Sequence, residues 1–144
     1  MTQLGLRLIS PGGMTIRTCL EDCVFPCGGG ISEQEPILVQ KGTEVRIIFH
    51  ALHKDPDIWG EDALEFRPER WETMRTTWEY VPFLGGGRTC PAQQMALTDC
   101  SYILVRFLQE FREIENRDEQ VEFVESIKLS LESGNGVKVG FINN

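Results

Sequence analysis

The chain holds 144 residues, 41% of them hydrophobic, which bounds it to one modest domain or a piece of a larger one. Its 22 acidic against 14 basic side chains leave a net charge of −8, which argues against a nucleic-acid partner because phosphate binding rests on Lys and Arg. No apolar run of about 18 residues occurs, so no membrane span is expected, and the first residues lack the apolar core of a signal peptide. In chain order, residues 4–10 read as the end of a helix stopped by Ser10-Pro11-Gly12-Gly13. Residues 15–20 and 23–25 read as short strands, with Pro26-Cys27-Gly28-Gly29-Gly30 as a loop. Pro36–Val39 and Thr43–Phe49, joined through Lys41-Gly42, read as a hairpin with β-branched arms. A short helix over Ala51–Lys54 ends at Asp55-Pro56.

Residues 56–90 look irregular, punctuated by Pro56, Pro68 and Pro82, and so long a structureless stretch in a compact domain usually carries function. From Ala92 to Arg112 the pattern is helical: Ala96, Cys100, Ile103, Leu104, Phe107, Leu108 and Phe111 fall three and four apart on one face, which predicts a buried stripe. The Glu-rich residues 113–125 read as a solvated loop leading into a strand. Ile127–Leu131 and Val137–Ile142 bracket Ser133-Gly134-Asn135-Gly136, a hairpin signal. The fold class is α+β.

Five cysteines without a secretory segment point to a reduced, intracellular setting. Cys19, Cys23 and Cys27 form an evenly spaced trio that invites a zinc or cluster site. Such sites more often pair ligands two residues apart and need a fourth partner, so thiols in a strand and its following loop are the better reading. His50 and His53 read as ordinary surface or core histidines. Neither Gly28-Gly29-Gly30 nor Gly85-Gly86-Gly87 is a phosphate loop, since neither is followed by Lys-Ser or Lys-Thr.

The most informative stretch is Phe83-Leu84-Gly85-Gly86-Gly87-Arg88-Thr89-Cys90-Pro91-Ala92. It sets one cysteine between a glycine-rich loop and a helix for which Pro91 suits the first position. Glycines let the backbone pass close to a bulky ligand. A thiol at a helix N-terminus beside Arg88 favours its thiolate, which suits an axial ligand for heme iron but equally a catalytic cysteine. The residue order Phe-x-x-Gly-x-Arg-x-Cys resembles the heme-binding signature of the cytochrome P450 family of heme-thiolate monooxygenases. Ala92 stands where that signature continues with glycine, a mild departure. Phe66-Arg67-Pro68-Glu69-Arg70-Trp71 looks like the family's meander motif, and Ala51 to Pro56 with Trp59 to Ala63 read like fungal-type members.

The resemblance implies that residues 1–144 are the C-terminal part of the family fold, with the cysteine loop at 83–92 and the long helix at 92–112. It implies iron protoporphyrin IX (heme b) held through Cys90 as axial ligand, with Phe83 packed beside the thiolate and Gly86 in the loop. Arg88 would pair one propionate and Arg17 the other. A small organic substrate and an NADPH-dependent reductase would be the partners. Full-length relatives would sit at the endoplasmic reticulum membrane through an anchor upstream. Arg70 would be the meander arginine and Arg7 the arginine of a Glu-x-x-Arg motif whose glutamate position is Leu4, which predicts that both arginines are loosely held. The oxygen-activating helix would precede residue 1, so no catalytic residue beyond the heme ligand is expected here. The alternative is a non-catalytic remnant or weak heme-binding module.

Overall fold

A computed structural model describes residues 2–120 and 122–143. They divide into two compact units, Met14–Ile48 and the residues flanking it on both sides. In the Met14–Ile48 unit, β1 (Met14–Thr18) pairs antiparallel with β4 (Glu44–Ile48), placing Arg17 opposite Val45. Inside that pair nests a second one, β2 (Cys23–Gly29) with β3 (Glu35–Val39).

This nesting corrects two expectations. The hairpin runs between β2 and β3, not between Pro36–Val39 and Thr43–Phe49, because β4 returns to β1. Cys19 N–H donates to the Thr43 carbonyl (2.9 Å) and Gly42 N–H to the Cys19 carbonyl (2.8 Å), so the residues past β1 and before β4 stay laddered. The expected loop at Pro26–Gly30 is largely strand. Its irregularity is a register shift between Phe25 and Gly29, which absorbs Pro26, a residue with no N–H to donate.

The flanking unit opens with α1 (Thr2–Leu8) and continues after β4 with three single turns of helix, α2 (Phe49–Leu52), α3 (Pro56–Trp59) and α4 (Arg70–Thr73). Asp55 caps α3, its Oδ1 accepting from Asp57 N–H at 3.0 Å. The remainder of residues 56–90 is turns and irregular backbone, as its prolines imply, apart from a 3₁₀ turn over Gly86–Arg88. The core lies here: Leu4, Phe49, Trp59 and Ala63 are buried, together with Arg7, Ser10 and His53.

The long helix α5 spans Gln93–Glu110, shorter at both ends than the 92–112 pattern. Its apolar stripe is not buried. Cys100 is exposed, and Ile103, Leu104 and Leu108 keep 49%, 43% and 76% of their surface. Near its start the helix approaches α1 and half-buries Ala96 and Leu97, and at its far end Phe107, with Phe111 just beyond the helix, meets Phe141 at ring separations of 5.5 and 4.5 Å. Periodicity shows that a helix has an apolar face but cannot say what covers it. Phe141 belongs to β8 (Val139–Asn143), which pairs with β5 (Phe111–Asn116), so part of the presumed acidic loop is strand. β6 (Glu125–Ile127) pairs with β7 (Leu131–Ser133), and the Ser133–Gly136 turn joins two different sheets rather than closing a hairpin. No helix among the described residues is long and apolar enough to cross a membrane.

Candidate functional site

The cysteine loop rests on an aromatic and cationic cluster built from the short turns before it. Trp59 anchors α3 by donating its Nε1–H to the Leu52 carbonyl (2.9 Å). Trp71 from α4 and Tyr80 pack against it, with ring separations of 6.1 and 6.4 Å, and against each other at 4.9 Å. The Arg7 guanidinium lies over the Trp59 ring, 4.8 Å from its centroid. Arg7, fully buried, donates to the carbonyls of His53 (2.7 Å) and Glu65 (3.3 Å). Burial and then Arg70 lower the pKa of Arg7, with Asp62 and Tyr80 opposing.

The expectation that Leu4 leaves both arginines loosely held is corrected. Leu4 is itself a core residue, and Arg70 has another carboxylate: it pairs with Asp62 at 2.7 Å and donates to the carbonyls of Asp62 (3.1 Å) and Trp59. Hydrogen bonds from Arg70 and then Arg67 hold the Asp62 carboxyl below its usual range. What the missing glutamate leaves behind is narrower. The Nε atoms of Arg7 and Arg70 are buried without a hydrogen-bond partner among the described residues.

His53 connects this cluster to the loop. Its Nε2 accepts the Val81 N–H at 3.0 Å, so the neutral ring carries its proton on Nδ1, which is buried and unpaired. Desolvation first, then Arg7 and His50, lower its pKa to about 4. The ring also packs on Tyr80 at 5.3 Å, and Tyr80 Oη–H donates to the Gln3 carbonyl at 2.9 Å. Desolvation raises the Tyr80 pKa to about 12. The reading of His53 as a core histidine holds, but its grip on residue 81 was invisible in the sequence. A buried imidazole aimed at a distant N–H leaves no periodic signal.

Two residues past Val81 the loop turns back on itself, and Cys90 N–H donates to the Phe83 carbonyl at 2.8 Å. Phe83 and Cys90, seven residues apart, therefore close the two ends of the loop. Leu84 takes φ +65°, a left-handed conformation uncommon outside glycine and a sign of backbone held for a purpose. Gly85 lies against Trp78, whose ring would collide with any side chain there, whereas Gly86 at φ +68° and Gly87 have open space where a Cβ would stand. Thr89 closes the 3₁₀ turn by donating its N–H (3.2 Å) and Oγ1–H (2.8 Å) to the Gly86 carbonyl.

Cys90 is a half-buried free thiol, and its sulfur takes no hydrogen bond among the described residues. Helix α5 begins at Gln93, so Pro91 precedes its first turn instead of opening it, and Gln93 N–H reaches the Cys90 carbonyl at 3.4 Å. Arg88 is exposed and takes part in no ion pair among the described residues. The loop thus brings Phe83, Gly86, Arg88 and Cys90 into one turn of chain. Arg17 lies in the other unit, exposed on β1, donating to Thr15 Oγ1 and the Ile16 carbonyl, both at 2.8 Å. A cavity of about 180 Å³ lies on the support side of the loop, lined by Tyr80, Val81, Phe83 and Leu84 with Gln93 and Leu97; Cys90 does not line it.

A sequence profile of the family described as Cytochrome P450 matches residues 5–137. The chain is 47% identical over 134 residues to cytochrome P450 monooxygenase fsdH of Fusarium heterosporum, covering 93% of this chain and 24% of that protein. It is 45% identical to cytochrome P450 monooxygenase himC of Aspergillus japonicus, with the same coverage, and 50% identical over 119 residues to cytochrome P450 monooxygenase alt2 of Alternaria solani, covering 81% of this chain and 22% of alt2. The chain thus spans about a quarter of the length of the curated relatives it matches.

Proposed function

Since the chain belongs to the cytochrome P450 family, we propose that it is the heme-ligating, C-terminal portion of a heme-thiolate monooxygenase in which Cys90 is the axial ligand of iron. One observation carries the reading: at the end of a strained loop stands a free thiol that takes no hydrogen bond among the described residues, in one turn of chain with two glycines open to space and an arginine in no ion pair among those residues. That donor set fits iron protoporphyrin IX. A single thiolate supplies one strong ligand, bare glycine backbone admits a flat ring, and Arg88 supplies the cation for a propionate. Bound there, the heme would provide activation of dioxygen for insertion into an organic substrate, with electrons from an NADPH-dependent reductase.

The chain's own residues do the holding. Phe83 closes the loop through its carbonyl and screens the sulfur from water, which tunes an iron site. His53 fixes Val81 and thereby the approach to Phe83. Arg17 is the candidate for the second propionate. The 144 residues by themselves are proposed to bind heme weakly and to turn over no substrate, because their relatives are about four times as long and α5 leaves its apolar face uncovered. A one-to-one heme complex of this chain that yields oxygenated product with a reductase would overturn that part.

The ligand assignment is tested by adding heme to the chain and recording the reduced carbonyl complex. Cys90→Ser should abolish the thiolate-type Soret band, while Cys19→Ser, Cys23→Ser, Cys27→Ser and Cys100→Ser keep it. A thiolate-type band that survives in Cys90→Ser refutes the assignment.

A further inference from the structure

Cys19 and Cys23 are in contact, their sulfurs 3.3 Å apart. The approach follows from the way the strands nest. β1 ends at Thr18 and β2 begins at Cys23, so the intervening chain must reverse between two ladders. Cys19 is held on one side by its backbone hydrogen bonds to Thr43 and Gly42. Cys23 is held on the other by its register opposite Val39. The turn between them is fixed by Asp22, whose Oδ1 accepts from Lys41 N–H at 2.8 Å. Cys19 Sγ–H also lies 2.9 Å from the Glu21 carbonyl.

Cys27 stands within the register shift of β2 and is exposed, whereas Cys19 and Cys23 are half-buried. Among the described residues no three His, Cys, Asp or Glu side chains gather as a metal cage. The chemistry left to the pair is that of a dithiol. A disulfide needs the sulfurs at about 2.04 Å, so they must close by roughly 1.3 Å, which side-chain rotation in an exposed turn can supply.

We propose that Cys19 and Cys23 form a redox site that reduces a hydroperoxide and closes to a disulfide. The Cys19 sulfur attacks the terminal peroxide oxygen, the O–O bond breaks, and the alcohol (or water, from hydrogen peroxide) departs with the thiol proton. Cys19 is then a sulfenic acid. The Cys23 sulfur attacks it, the S–S bond forms, the S–O bond breaks, and water leaves with the Cys23 proton. Two thiols are oxidised by two electrons and one hydroperoxide is reduced. The hydrogen bond to Cys19 and then desolvation raise the Cys23 pKa above its ordinary value. This site is independent of the heme reading, since it shares no residue with the cysteine loop and lies in the other unit.

The test treats the full chain with one equivalent of hydrogen peroxide, alkylates the remaining thiols and cleaves after Glu21, inside the loop the disulfide would close. The expected product holds the Cys19 and Cys23 fragments together until dithiothreitol separates them, with Cys27, Cys90 and Cys100 alkylated. Cys23→Ser should trap Cys19 as a sulfenic acid captured by dimedone. Peptide mapping of the unmodified sequence decides the matter even if that variant misfolds. Oxidation first at Cys27 or Cys100, or alkylation of Cys19 and Cys23 after peroxide treatment, overturns the proposal.

Discussion

The cluster around Trp59 and the helix α5 belong to the same unit, yet they treat apolar and charged groups in opposite ways. Around Trp59 the chain buries a guanidinium, an imidazole and an indole together and satisfies most of their polar atoms with carbonyls. Along α5 it leaves Ile103, Leu104 and Leu108 in water. Short turns converging on one ring give more burial here than eighteen residues of helix, because burial depends on what packs against a surface and not on how regular the surface is.

Trp59→Ala should produce the largest loss, about 3–5 kcal/mol, by emptying the space beneath Arg7. Chemical denaturation measures it, and a loss under about 1 kcal/mol would show that the cluster is not the core. His53 comes next, through pH. Its pKa is depressed in the fold to about 4 from 6.5, so its contribution is full above the unfolded value, drains as pH falls through that interval and levels below it. The two and a half units amount to about 3 kcal/mol. Burial is the main cause of that depression, with Arg7 and then His50 adding to it, and Tyr80 packs against the ring. Thermal melts from pH 7 to 4 should flatten in His53→Gln, which can still accept the Val81 N–H.

A smaller effect is expected where the loop meets ligand. Arg88→Leu should weaken heme retention about fivefold, the worth of roughly 1 kcal/mol for an exposed ion pair, with the thiolate-type spectrum intact. Unchanged retention in both Arg88→Leu and Arg17→Leu would assign the propionates to other groups. The smallest stability change belongs to α5. Leu108→Gln should shift the folding free energy by under about 0.5 kcal/mol while reducing aggregation measured by light scattering. A loss above about 1 kcal/mol there would mean that the helix face is packed after all.

The cysteine loop was the most legible part of the sequence, since its glycines, Arg88, Cys90 and Pro91 are near neighbours and act through local geometry. The irregularity of residues 56–90 was legible for the same reason, from its prolines. Strand pairing was not. The β-branched runs at residues 36–39 and 43–49 each looked ready to pair with the other, and nothing local records that β4 returns to β1 across the whole nested hairpin. Asp62 was equally hidden as the partner of Arg70, one acid in a charged stretch where proximity decides.

Sequence alone therefore determined the family and the loop that carries Cys90, because the motifs that mark them are runs of a few neighbouring residues. Only the tertiary structure decided which strands pair, which carboxylate holds Arg70, that His53 grips Val81 and that α5 stands uncovered. Those outcomes depend on contacts between distant parts of the chain, where many partners satisfy the same local pattern and packing selects among them.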